Sequence, residues 1–98
     1  MESEEKNSAL SRDATIVNDL GLHARSAARI AQIAGKAMSK VWVVRGDEAV
    51  DAKSTIDLLT LACAKGSEIT IKIDREEDID ILEQIVKTVE DGFGEQIS

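Results

Sequence analysis

The chain has no proline and no tyrosine, one cysteine, one histidine, and two aromatic residues, Trp42 and Phe93. Each scarcity excludes something. A single cysteine, Cys63, rules out an internal disulfide and any multi-cysteine metal site, and suits a reducing compartment. Two aromatics cannot build the stacking platform of a single-strand nucleic-acid binder. No apolar run approaches the roughly 18 residues that a membrane-spanning helix needs. Residues 1–8 are acidic and lack an apolar core, so they do not read as a secretory signal. No proline-marked linker and no internal repeat divides the 98 residues, and a chain of this length is one domain with one modest core rather than a deep enzymatic cleft.

Positive charge is also short. The net charge is −7, the opposite of the basic surface on which phosphate-backbone binding depends. The imbalance is uneven, because acids crowd residues 1–5 and 74–80 while Arg12, Arg25, Arg29, Lys36, Lys40 and Arg45 outnumber Asp13 and Asp19 between them. That basic stretch surrounds His23 and suits an acidic ligand or partner.

Patterning predicts seven elements. Leu10–Val17 reads as a strand, strongest at Thr15-Ile16-Val17, and Asn18-Asp19-Leu20-Gly21 breaks it. From Ala24 to Met38 apolar residues recur at three and four, an amphipathic helix carrying Ala24, Ala27, Ala28, Ile30, Ala31, Ile33, Ala34 and Met38 on one face. Val41–Val44 and Glu48–Asp51 form a hairpin around Gly46-Asp47. Ser54-x-x-Asp57 has the form of a helix cap, opening a short helix to Ala62. Glu68–Ile73 alternates as a strand, and the acids of 74–80 begin a last helix with Ile79, Leu82, Ile85, Val86 and Val89 on its buried stripe and Gly92 as its stop. The order βαββαβα predicts an α+β open-faced β-sandwich, a four-stranded mainly antiparallel sheet with three helices on one face. Residues 1–8 are expected to be a disordered acidic tail, 9–93 the domain and 94–98 a C-terminal tail.

The chemistry concentrates in Gly21-Leu22-His23-Ala24-Arg25-Ser26-Ala27. Histidine side chains titrate near pH ~6.5, so a neutral ring nitrogen is available as a nucleophile at neutral pH. The first N–H groups of a helix lack intrahelical partners and bind anions, which makes Ala24, Arg25, Ser26 and Ala27 candidate phosphate ligands. The Arg25 guanidinium adds a planar fork for phosphate oxygens. Ser54 is a helix cap on its spacing. Ile56 and Leu59 belong either to the core or to a partner surface, with the spacing turning Leu58 and Leu61 inward and Ile56 and Leu59 outward. Cys63 reads as a small buried hydrophobe, and the acids of 74–80 lack the ligand spacing of a calcium loop.

These residues resemble a known family. Gly21-Leu22-His23-Ala24-Arg25-x-Ala27 is similar to the active-site signature of HPr, the histidine-containing phosphocarrier of the phosphoenolpyruvate-dependent sugar phosphotransferase system. Asp51-Ala52-Lys53-Ser54 with Ile56-x-Leu58-Leu59-Thr60-Leu61 resembles the family's second signature, around a regulatory serine. Gly66–Ile73 matches its run from a glycine turn into the last strand. The resemblance spans roughly residues 10–92.

The resemblance implies a cytoplasmic, monomeric phosphocarrier that needs no cofactor or metal of its own and binds neither nucleic acid nor membrane. His23 would take a phosphoryl group on Nδ1 from phosphorylated enzyme I and pass it to EIIA-type domains, with Arg25 as second active-site residue. Such a protein is a substrate of phosphotransferases more than an enzyme. Ser54 would be phosphorylated by an HPr kinase/phosphorylase where the organism has one. The chain departs from the family in carrying Ser26 in place of a proline, Thr55 in place of a bulky apolar residue, and Leu20, which looks more like the nitrogen-related branch. Those departures keep a second reading open: a regulatory nitrogen- or carbon-control module acting through Ser54 and the second helix.

Overall fold

Strict alternation in Glu68–Ile73 puts Ile69, Ile71 and Ile73 on one face, and all three are buried. That strand is central to a computed structural model that describes residues 10–98. The elements are β1 (Ser11–Thr15), α1 (Ala24–Ala34), β2 (Val41–Arg45), β3 (Glu48–Asp51), α2 (Thr55–Thr60), β4 (Glu68–Ile73) and α3 (Ile79–Glu90). The four strands form one antiparallel sheet in the order β1-β4-β2-β3. Register sets Ala14 against Ile69 and Val43 against both Ile71 and Val50. One face therefore gathers Ala14, Val41, Val43, Ile69 and Ile71 under the helices, while Asp13, Thr70, Lys72, Trp42 and Val44 line the open face. The α+β open-faced sandwich expected from the sequence is the fold observed.

Leu22, Ala27, Ile30, Leu58, Leu61, Leu82, Ile85 and Val89 bring the three helices into the same core. Each fully buried Leu or Ile side chain contributes roughly 1.5–3 kcal/mol. Leu58 and Leu61 point inward, as the spacing predicts, and Cys63 is buried beside them.

Three expectations need correction. First, α1 ends at Ala34 rather than Met38. Beyond Gly35 the hydrogen bonds tighten from i−4 to i−3, with Lys36 N donating to Ile33 O and Ala37 N to Ala34 O, both at 3.0 Å. Met38 leaves the apolar face and is 77% exposed. Ala24 and Ala28 are exposed too, because the buried stripe runs through Ser26, Ala27, Ile30, Ile33 and Ala34. Second, β1 stops at Thr15. Ile16 is buried and pairs onward with the loop before β4, its N–H reaching Ser67 O at 2.9 Å. Third, the acids of 74–80 do not all begin the last helix, since α3 itself starts only at Ile79. Asp78 is buried, its two oxygens taking the N–H groups of Met38 at 2.8 Å and Ser39 at 3.0 Å. This carboxylate bends the chain out of α1 and into β2.

The acidic segment 1–8 lies outside the described residues. Residues 94–98, set apart as a tail on sequence, fold back onto the loop after β1: Asp19 N donates to Gln96 O at 2.9 Å, and Ser98 N and Oγ donate to Asp19 Oδ1 and Oδ2 at 2.9 and 2.6 Å. Among the described residues no helix is long and apolar enough to cross a membrane.

Candidate phosphoryl-accepting site

His23 is the N-cap of α1. Its backbone is extended, with φ −125° and ψ −174°, and its carbonyl accepts the first helical hydrogen bond, from Ala27 N at 2.8 Å. The approach to this cap is fixed by Gly21. Its φ is +68°, and a Cβ there would stand 2.6 Å from Cys63 O. Only glycine lets the loop lie this close to the segment after α2, where Leu22 N bonds Cys63 O at 2.8 Å. The two sequence signatures are thereby brought together, the first loop resting on the end of the second.

The imidazole is held at both nitrogens. Nδ1 accepts from Arg25 N at 3.2 Å, and Nε2 lies 2.8 Å from Glu95 Oε2 and 3.1 Å from Oε1. Asn18, fully buried, donates from Nδ2 to Glu95 Oε1 and to Gly21 O, each at 2.9 Å. The side chains of Arg25 and Arg29 are exposed on α1 and line a cleft of about 240 Å³ with Ser26, Phe93, Gly94 and Glu95.

The expected phosphate ligands divide. Ala24, Arg25 and Ser26 hold the first three helical positions, whose N–H groups have no intrahelical acceptor. Ala27 does not belong with them: its N–H is spent on His23 O and its side chain is buried. The Ser26 hydroxyl is likewise not directed at a ligand. It is buried, accepts from His23 N at 2.9 Å and donates to Gly21 O at 3.1 Å, closing the cap from within.

Ser54 caps α2, its Oγ taking the N–H of Asp57 at 3.1 Å. On that helix Ile56 is 75% and Leu59 38% exposed, which turns both outward. Leu20 is exposed as well. Lys65 and Ser98 hold the carboxylate of Asp19 next to the site. The two Ser98 hydrogen bonds, with the Lys65 bond and charge adding to them, lower its pKa from the ordinary 3.8. Burial raises the pKa of the Cys63 thiol, against the opposing charge of Arg45. Among the described residues no group of three His, Cys, Asp or Glu side chains could hold a metal ion.

Asn18 and Glu95 are site residues that the sequence did not disclose. Glu95 lies 72 positions from His23, too far for any periodicity to connect them. The available signal was Gly92-Phe93-Gly94: two glycines around an aromatic mark a turn that folds back rather than a fraying end. All three residues have positive φ, and Phe93 is buried.

An antiparallel open-faced sandwich that sets a histidine at a helix N-terminus among arginines defines a class of protein: a small α+β domain that presents an imidazole beside an anion-binding helix end. The family comparison is specific. A family model described as PTS HPr component phosphorylation site matches residues 10–91, and the chain belongs to the HPr family, the phosphocarriers of the phosphotransferase system. It is 38% identical over 86 residues to the phosphocarrier protein HPr of Cupriavidus necator, covering 88% of this chain and 97% of that protein. Identity to the HPr of Neisseria meningitidis serogroup A is 35%, with the same coverage. The crystal structure of an HPr from Thermoanaerobacter tengcongensis superposes with a TM-score of 0.83 at 30% identity, over 89% of this chain and 98% of that one.

Proposed function

We propose that His23 accepts a phosphoryl group on Nδ1 from phosphorylated enzyme I and delivers it to EIIA-type domains, the protein acting as a cytoplasmic monomer. The observation that carries this reading is the pairing at Nδ1. A backbone N–H only donates, so the nitrogen facing Arg25 N presents a lone pair. Once phosphorylated, that nitrogen holds its charged group over the N–H groups of Ala24, Arg25 and Ser26, where the helix terminus favours an anion. The guanidinium of Arg25 supplies mobile positive charge, and Arg29 adds a second fork one turn on. Leu20, Ile56 and Leu59, exposed and apolar, form the surface on which partners dock.

The test is incubation with enzyme I and phosphoenolpyruvate. An acid-labile, base-stable phosphate should appear, and should be absent from His23→Ala. An unlabelled wild type would refute the carrier reading. A second reading, a regulatory module working through Ser54 and α2, draws on the Ser54 hydroxyl at the start of the helix that exposes Ile56. It gains if the label forms but never moves to a sugar-specific EIIA domain.

A further inference from the structure

The ring of His23 has two partners of opposite character. Arg25 N–H is obligately a donor and stands 3.2 Å from Nδ1, while the carboxylate of Glu95 is obligately an acceptor and stands 2.8 Å from Nε2. Together they admit one neutral tautomer, with the proton on Nε2 and the lone pair on Nδ1. Glu95 is held in turn. Asn18 Nδ2 donates to Oε1 at 2.9 Å, Asp19 N holds the neighbouring Gln96 O at 2.9 Å, and the buried Phe93 anchors the preceding turn. The Glu95 side chain is 19% exposed, a carboxylate delivered from a pinned segment and not from a free tail.

We propose that Glu95 is a positioning residue for phosphoryl transfer: it holds His23 in the tautomer that leaves Nδ1 nucleophilic and offsets the charge the ring gains on phosphorylation. This rests on His23 being the phosphoryl acceptor. In the transfer the lone pair of Nδ1 forms the new bond to phosphorus, and the donor's bond to phosphorus breaks with its electron pair leaving on the donor. The ring keeps its Nε2 proton and so becomes cationic. The carboxylate beside that proton stabilises the cation and cannot serve as a phosphate ligand, since two anions would repel. It sits accordingly at the ring edge away from Nδ1. On delivery the N–P electron pair returns to Nδ1 and the ring is neutral again. Among the described residues, Arg25 and Arg29 on α1 line the adjoining cleft, and Asp19 and Lys65 are paired further out.

The full chain carries the test, with Glu95→Ala and Glu95→Gln. In wild type the imidazole Nε2–H, bonded to a carboxylate, should give an observable, exchange-protected ¹H–¹⁵N signal without any phosphoryl donor. Glu95→Ala should lose it. Glu95→Gln, whose amide oxygen still accepts, should keep it. With enzyme I and phosphoenolpyruvate, Glu95→Ala should slow phosphoryl acceptance by about tenfold or more at unchanged KM, the scale of one hydrogen bond to a charged group. Glu95→Gln should fall between, keeping the orientation and losing the charge. Glu95→Ala that retains the signal, accepts phosphoryl at the wild-type rate, or changes KM alone would overturn the proposal. A wild type that takes no phosphate would refute the carrier reading instead, leaving the Nε2–H signal as an independent measure of the Glu95 contact.

Discussion

Ser26 Oγ accepts the backbone N–H of His23 at 2.9 Å, so the residue that stands in place of the family's proline braces His23, the proposed phosphoryl acceptor, from inside the helix. Ser26→Ala removes that bond and is expected to lower stability by about 1 kcal/mol, the value of a helix cap. In a domain of this size that corresponds to a melting temperature roughly 4–8 °C lower. Ser26→Pro should fold as well, because the N–H at this first-turn position has no helical partner to lose, and it should show the same decrement. Thermal unfolding followed by circular dichroism measures both. An unchanged melting temperature in Ser26→Ala would mean that the hydroxyl contributes nothing to the cap.

What could be read from the sequence was what repeats with a period. The alternation of Glu68–Ile73 marked β4 residue for residue, and the hairpin around Gly46-Asp47 followed from two β-rich runs and a turn. Ile56 and Leu59, which the sequence left open between core and surface, face outward, the orientation that their spacing suggested. What stayed hidden was polar and long-range. Asp78 closes the end of α1 from 40 residues away, and Glu95 reaches His23 from 72. Neither has a local pattern, because a carboxylate that takes backbone N–H groups across the fold looks in sequence like any surface acid. Ser26 was legible in part for a related reason: its place in the first turn of α1 could be read, but the bonds of its hydroxyl to His23 N and Gly21 O could not.

Gly21 separates geometry from chemistry at the site. Any side chain here meets two penalties, the left-handed backbone and a Cβ 2.6 Å from Cys63 O. The first is worth about 1–2 kcal/mol. The second cannot relax cheaply, since Leu22 N is tied to the same carbonyl. Gly21→Ala is therefore expected to destabilise by more than about 2 kcal/mol, read from the midpoint of urea unfolding. A milder loss would show that the loop shifts freely over the end of α2.

Asp19 should make the attachment of residues 96–98 sensitive to acid. Hydrogen bonds from Ser98, then Lys65, hold its folded pKa below the ordinary 3.8. A carboxyl with a lower pKa folded than unfolded contributes its stabilisation above about pH 4 and loses it as pH falls through the lowered value. The Ser98 amide resonance should therefore be constant at neutral pH and move toward its unstructured position only below about pH 4. In Asp19→Asn that transition should disappear. A transition centred at neutral pH, or one surviving in Asp19→Asn, would assign the attachment to another group.

Ile56 tests whether the exposed apolar face of α2 is there for a partner. Being 75% exposed, it contributes little to the folded core, whereas Leu58 two positions on is fully buried. Ile56→Ser should change stability by no more than about 0.5 kcal/mol, while Leu58→Ala should lose about 2–5 kcal/mol. If partners cover Ile56, its burial on docking is worth roughly 1.5–3 kcal/mol, and KM for enzyme I should rise by about tenfold or more in Ile56→Ser. The maximal rate should be unchanged, because no atom of Ile56 belongs to the cap or the imidazole. Unchanged KM with unchanged stability would move the docking face off α2, toward Leu20 and the basic side of α1.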